Sequence, residues 1–292
     1  MPSVIPSVLT DYPNKDRFPF YLVKKVNNKV PPHRHDFLEL GLVVEGRGSE
    51  MVNGTLHALE PGTITFLLPY QIHELQAAKD SQLLLYVCNF DMGLLLNAPY
   101  REFGQCLLRE DEGETAPFVQ LHPEQFREML GLFDRMQTEY NRNERWKPLV
   151  LTSMLFEILA LFDRIRCRQN QSAAAGRSPN DSAIWEIIHY IHQHYREPLT
   201  LAELAKLFHF SVPNLSMLLK RHLGTSFIEF IHELRIRQAC SLLQSSHMAI
   251  TDIALEVGFR SFASFSRVFN HQKGVSPSVY RKKWSERPQA DL

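Results

Sequence analysis

One helical unit is written twice in the last hundred residues. The first copy, ELAKLFHFSVPNLSMLLKRHLGTSF, covers residues 203–227, and the second, DIALEVGFRSFASFSRVFNHQKGVSPS, covers 252–278. The copies stand 49 residues apart from Leu204/Ile253 to Phe210/Phe259, and 50 apart from Leu215/Phe265 to Gly224/Gly274. Each reads as a short helix, a turn and a second helix opening at a serine, Ser211 or Ser261. That is helix-turn-helix grammar, and a pair of such units fits two neighbouring stretches of one DNA face. Thr200 and Glu203 have capping-box spacing, and Gly224 and Gly274 are helix stops. A helix over about 182–195 precedes the pair, a long helix over about 227–243 joins them, and Thr251 opens the second. Ser276 and Pro277 open a short final helix.

The second helix of such a unit enters the major groove, with the residues at and after its start facing the bases. In the first copy these are Pro213, Asn214, Ser216, Met217 and Lys220, while Leu215, Leu218 and Leu219 form the buried face. Asn214 suits adenine, Pro213 and Met217 offer apolar contact to a thymine methyl, and Lys220 suits phosphate. In the second copy they are Phe262, Ala263, Ser264 and Arg267, with Phe259, Phe265 and Phe269 as core. Arg267 is the strongest base-contact candidate, because arginine to guanine is the commonest specific pair; a phosphate-paired or solvated arginine is its plain alternative. The run Arg281-Lys282-Lys283 is either a backbone contact or a solvated helix end. A helical protein-interaction domain is the competing reading of the whole region.

The N-terminal part has a different period. Residues 18–90 read as short strands between Gly/Pro turns: LELGLVV (38–44), MVNG (51–54) with an Asn53-Gly54 hairpin signal, TITFLLP (63–69) and SQLLLYVCNF (81–90). This predicts an antiparallel β-barrel or jelly roll. Helices are expected over 123–140 and 146–168, the second with Leu149, Met154, Leu155, Ile158, Leu159 and Phe162 on an apolar stripe. Those stripes need cover, either from the barrel or from a second subunit. The small, polar run RQNQSAAAGRSPND reads as a linker. The expected domains are therefore 1–168, a linker at 169–181, and 182–292.

The barrel carries HRHDFLE, with His33, His35 and Glu39, and then His73 in PYQIH. Residues at i, i+2 and further even steps share one face of a strand. Three imidazoles and a carboxylate suit a borderline transition metal, and equally a polar lining for a small ligand. Tyr70, Gln71, Arg47 and Glu45 could add hydrogen bonds of the kind a sugar takes.

Net charge is zero over 292 residues, but 13 Lys/Arg face 10 Asp/Glu from Asp181 onward, so the repeat region is mildly basic. No apolar run is long enough to span a bilayer, and the first residues lack a secretory layout. The four separated cysteines read as free thiols, so a cytoplasmic protein without a membrane partner is expected.

The run IALEVGFRSFASFSRVFNHQKGVSPSVYRK, 253–282, resembles the DNA-binding domain of the AraC/XylS transcription regulators: Ile-Ala, Gly-Phe, Phe-Ser-Arg-x-Phe, Gly-x-Ser-Pro and Tyr-Arg all stand in order. The resemblance extends over residues 182–284. It implies recognition helices in successive major grooves, with Phe262, Ala263, Ser264 and Arg267 as one reading set and Pro213, Ser216 and Met217 in the other. Members often carry arginine where Met217 stands and glycine where His209 stands. The N-terminal stretch is similar to the cupin motif His-x-His, Glu, Gly, with Glu39 and Gly46 at the expected steps. It departs at His73, one step short of the usual spacing, and at Asn27, where a glycine is usual.

The sequence is thus expected to encode a promoter-binding regulator, not an enzyme: an activator gated by a sugar or oligosaccharide. Its fold class is two-domain, a cupin-like antiparallel barrel with appended helices and an all-α domain of two helix-turn-helix units. Homodimerisation and contact with RNA polymerase are implied by the resemblance. His33, His35, Glu39, Arg47, Tyr70 and His73 are the effector candidates; no cofactor is required, and His33, His35, Glu39 and His73 are the candidate metal ligands. A metal-dependent cupin enzyme fused to a DNA-binding tail, and a constitutive DNA-binding protein, are the alternatives.

Overall fold

Alternation along the strands decides the N-terminal architecture. In β3 (Leu38–Glu45), Leu38, Leu40 and Leu42 are fully buried on one face, while Glu39, Gly41 and Val43 face a cavity on the other. The same split runs through β1 (Phe20–Val26) and β8 (Leu84–Phe90), with Phe20, Leu22, Cys88 and Phe90 outward and Tyr21, Lys25, Leu85, Val87 and Asn89 toward the cavity. The computed structural model describes residues 20–97, 101–108, 117–169 and 180–285. The chain divides into two units, with the boundary between Ser182 and Ala183. The expected linker lies mostly outside the described residues.

The first unit is a double-sheet antiparallel barrel. One sheet has the order β1-β8-β3-β6-β9, with β6 Thr63–Leu67 and β9 Phe118–Gln120. The other is β2-β7-β4-β5, with β2 Lys29–His33, β4 Gly48–Val52, β5 Thr55–Leu59 and β7 His73–Ala77. Asn53 and Gly54, both at positive φ (48° and 86°), close the β4–β5 hairpin as the sequence expects. Strand β2 carries Pro31 and Pro32 and escapes a propensity reading; it is tolerated because it is an edge strand.

Two helices cover the outer face of the five-stranded sheet: α3 (Pro123–Asn141) and α4 (Lys147–Gln169), which follow the short α1 (Gly93–Leu96) and α2 (Arg101–Leu107). Phe162 packs 5.8 Å from Phe66, Phe133 5.2 Å from Tyr86, and Tyr140 6.0 Å from Phe20. The Tyr86 hydroxyl donates to Asp134, which also pairs with Lys24 at 3.6 Å. The apolar stripes are thus used within the chain. Leu149, placed on the stripe from sequence, is instead 66% exposed, and the buried set shifts to Leu151, Leu155, Ile158, Leu159, Phe162 and Ile165. Leu149 lies in the first turn of α4 on the solvent side, whereas Leu151, two residues on, is fully buried.

The second unit is all helical. Helix α5 (Asn180–His194) precedes the first helix-turn-helix, α6 (Leu201–Leu207) and α7 (Val212–Leu223). Helix α8 (Phe227–Ser245) leads to the second, α9 (Ile250–Glu256) and α10 (Phe262–Lys273), and α11 (Pro277–Ser285) follows. Thr200 and Glu203 form the expected capping box, Ser211 and Ser261 cap α7 and α10, and Gly224 and Gly274 end them at φ 70° and 69°. The second unit starts earlier than Thr251, at an Ala249 N-cap without a side-chain hydrogen bond. Ile236, Ala239, Cys240 and Leu243 of α8 close the second core over Ile253, Phe259, Phe265 and Phe269.

The two turns differ in chemistry at one shared conformation. Gly258 sits at φ 95°, and a Cβ there would stand 2.4 Å from the Arg196 carbonyl oxygen. Its counterpart His209 adopts φ 60° with a side chain in place, at a typical left-handed cost of about 1–2 kcal/mol. His209→Gly is therefore expected to stabilise the second unit by about 0.5–1 kcal/mol, after glycine's extra chain entropy. Gly258→Ala is expected to destabilise it by about 2 kcal/mol or more. Urea unfolding followed by far-UV circular dichroism checks both signs.

Candidate functional site

A cavity of about 270 Å³ lies between the sheets of the barrel. Apolar Val30, Leu67 and Leu75 alternate on its wall with Lys25, Asn27, Glu39, Glu50 and Asn89. The histidines arrive from three places. His33 ends β2 opposite His73 at the start of β7, their rings 4.1 Å apart. His35 lies in the loop before β3, not on a strand, so the shared-face argument for His33, His35 and Glu39 gives way to a loop geometry. That loop is held by a hydrogen bond from the Tyr70 amide to the His35 carbonyl (2.7 Å), with the His35 ring stacked 4.0 Å from Phe37.

Each imidazole has Nδ1 beside a backbone carbonyl: His33 at 2.9 Å from Pro31, His35 at 2.8 Å from Phe37, and His73 at 3.4 Å from Gln71. With Nδ1 as the donor, Nε2 keeps its lone pair. Potential ligand atoms of His35, Glu39 and His73 lie within 4.8 Å of one another. His33 falls outside that set, which corrects the four-ligand expectation, although its ring lies 4.1 Å from that of His73. Burial holds all three histidine pKa values below the ordinary 6.5, with the charge of His73 adding to the effect on His33 and His35. Burial, reinforced by Glu50, pushes the Glu39 carboxyl up to about 7.

Arg47 and Tyr70, expected on the wall, are not on it. Arg47 is exposed, with its amide donating to Ser81 Oγ at 2.8 Å. Tyr70 is buried at φ 66° and contributes its backbone instead. Sequence reading missed Lys25, Glu50 and Asn89. Glu50 is buried beside His57, 3.1 Å away, and faces inward with Val52. The only signal for it was the two-residue period of GSEMV, which names a face only once the register is known.

The two helix-turn-helix units present matched surfaces. On α7, Pro213, Ser216, Met217 and Lys220 are exposed and Asn214 is half-buried; on α10, Phe262, Ala263 and Arg267 are exposed and Ser264 is half-buried. Leu215, Leu218 and Leu219 face the core, as do Phe265 and Phe269. Asn214 and Ser264 donate their amides to the capping Ser211 and Ser261 hydroxyls. Arg281 is partly used within the fold, donating to the Met248 carbonyl at 2.7 Å.

Two family models match: the AraC-like ligand binding domain over residues 22–150, and a helix-turn-helix domain over 204–283. The chain belongs to the AraC family of DNA-binding transcriptional regulators. The HTH-type transcriptional regulator YfiF of Bacillus subtilis (strain 168) is 26% identical over 259 residues, covering 87% of this chain and 79% of YfiF. The HTH-type transcriptional activator RhaS of Enterobacter sp. (strain 638) is 23% identical over 261 residues, covering 86% of this chain and 87% of RhaS. ToxT from Vibrio cholerae shares the fold, with a TM-score of 0.50 at 16% identity over 90% of this chain and 98% of ToxT. In this family member the barrel thus belongs to the ligand-binding domain, and residues 204–283 to the DNA-binding helix-turn-helix domain. No described helix is long and apolar enough to cross a membrane.

Glu39 is the sharpest electrostatic probe of the cavity. Its folded pKa of about 7 lies above the ordinary 4.5, so its contribution to stability is fully present below about pH 4.5 and is lost as pH rises to about 7. The histidines work in the opposite sense, losing stability as pH falls below 6.5. Glu39→Gln, neutral throughout, is expected to match the wild type near pH 4. It should gain progressively up to about pH 7 and keep a constant advantage above. Urea unfolding across this range, with chelator present, reads the difference; an offset independent of pH would remove the burial account of Glu39.

Proposed function

We propose that this regulator activates transcription from a split promoter site when its barrel binds a sugar or oligosaccharide. The observation that carries the reading is the matched pair of exposed helix surfaces on α7 and α10, joined to a chain with a polar-lined cavity. Pro213, Asn214, Ser216, Met217 and Lys220 read one half of the site, and Phe262, Ala263, Ser264 and Arg267 the other. The first set, with a methionine opposite Arg267, reads more through apolar contact than through hydrogen bonds.

The sugar assignment draws on cavity chemistry. Glu39, Glu50, Asn27, Asn89 and Lys25 supply acceptors and donors between apolar walls, as a polyol requires. His33, His35 and His73, neutral at physiological pH, add hydrogen-bonding groups. Activation agrees with the naming of the RhaS relatives as transcriptional activators. Residues 1–168 serve effector binding and homodimerisation, with exposed Trp146 and Leu149 as apolar contact points; residues 169–181 act as linker and 182–292 bind DNA. Effector binding shifts the population of promoter-competent dimers, which recruit RNA polymerase in the cytoplasm. No step of this reading needs catalysis or a cofactor.

A second reading of the histidine cluster has its own observation: the buried His35 Nε2 has no hydrogen-bond partner. With His73 and Glu39 it fits a divalent transition metal, which would supply Lewis-acid polarisation to a bound hydroxyl. Cobalt(II) titration separates the readings. A visible absorption band saturating at one equivalent and lost in His35→Ala assigns a metal; a silent titration assigns hydrogen bonding to the effector.

Selection of bound duplexes from a random library, with individual sugars and with metal stripped or restored, tests the main reading. A split site whose affinity changes with one sugar is the expected result; a site indifferent to every addition would leave a constitutive DNA-binding protein. On the selected site, Arg267→Ala is expected to relax preference at one base pair by about 1–3 kcal/mol. A uniform loss across sequences would make Arg267 a phosphate contact instead.

A further inference from the structure

The turn of the second helix-turn-helix is one residue longer than that of the first. Phe210 is followed directly by the capping Ser211, whereas Phe259 is separated from the capping Ser261 by Arg260. This additional residue is exposed, and it lines a groove of about 540 Å³ between α8, the end of α9 and the residues after α5. Arg196, Ile228, His232, Arg235 and Ser264 share that groove.

Its positive charge is poorly balanced. Arg235 lies across the groove with its guanidinium engaged by backbone carbonyls, Tyr195 at 2.7 Å and Glu197 at 2.9 Å, so no carboxylate neutralises it through those bonds. Arg196 is paired with Glu256 at 3.0 Å. Glu229 is held in its own cap by Ser226 and Thr225. Burial and the neighbouring Arg260 depress the Arg235 pKa; burial, then Arg235 and Arg267, depress that of His232. Arg235 and Arg267 thus both bear on the His232 imidazole, with Glu229 opposing them, and Arg260 bears on Arg235.

The groove is continuous with the reading surface. Ser264, in the first turn of α10, belongs to both, and Arg267 follows one turn later. We propose that the groove seats one phosphate of the DNA backbone beside the major groove entered by α10, with Arg260 as its principal contact and Arg235 as a fixed positive field behind it. This rests on the promoter-binding reading above and adds a contact that positions α10 without reading sequence. An acidic protein segment would suit the same charge, and exposed Ile228 and Leu255 on the rim would favour it; the shared Ser264 favours DNA.

The test uses the full-length protein and its selected duplex, titrated over a range of salt. Arg260→Ala, at an exposed position, is expected to fold normally and to weaken binding about ten-fold on matched and mismatched sites alike. Its log K against log salt slope should be shallower by about one. Arg260→Lys should recover most of the slope. Duplexes with a single neutral methylphosphonate should contain one position at which wild type and Arg260→Ala bind equally. An unchanged slope, or altered preference at one base pair, would overturn the phosphate seat, as would intact DNA binding with lost transcriptional activation, which would assign the groove to a protein partner. If the wild type itself selects no duplex, the promoter-binding reading has failed, and that result is distinct from a wild type that binds alongside an indifferent Arg260→Ala.

Discussion

Two reading helices are useful only if their separation is fixed, and here the fixing is done around residues 195–197. Arg235 of α8 donates to the carbonyls of Tyr195 and Glu197, while Arg196 reaches Glu256 of the second unit. Gly258 allows the second turn to pack directly on the Arg196 carbonyl. Hydrogen bonds from a charged group are worth about 1.5–3 kcal/mol each when buried, and less in this half-exposed setting. Their value lies in direction as much as in energy: a planar guanidinium bonded to two carbonyls fixes an angle as well as a distance. Through α8, whose apolar residues enter the second core, this clamp ties the first helix-turn-helix to the second.

The barrel solves a different problem. A sheet with a polar, partly open inner face must find its stability on the outer one. Helices α3 and α4 supply it, through Phe133, Phe162 and Tyr140 on Tyr86, Phe66 and Phe20. Stability and ligand chemistry are thereby assigned to opposite faces of the same strands, so Glu39 can sit between the fully buried Leu38 and Leu40 without disturbing the core they form. The burial that lowers the histidine pKa values and raises that of Glu39 disfavours the charged form of each of these four groups on the cavity wall.

Much of the DNA-binding unit was legible because its signals are local. Serine caps, capping glycines and a heptad-like placing of Leu215, Leu218, Leu219, Phe265 and Phe269 act within a few residues of chain, and the repeat states each of them twice. Where the signal was weak, at Thr251, the helix start moved by a residue or two. The effector cavity was legible only in part. His35, Glu39 and His73 were found by residue type, but the strand geometry assumed for His35 was a loop geometry. Arg47 and Tyr70 are close in sequence to wall residues and yet point their side chains elsewhere.

The sequence by itself determined the helix-turn-helix pair, the family and the antiparallel character of the first unit. These follow from periodicity and capping, which involve contacts a few residues apart. Only the tertiary structure decided that Glu50 shares a cavity with Glu39, that the close-set ligand atoms are those of His35, Glu39 and His73, and that Arg260 lines one groove with Arg235. Those outcomes depend on strand register and on approaches between distant segments. A one-residue slip in register reverses a strand's faces, and nothing in the local sequence reports the approach of one distant segment to another.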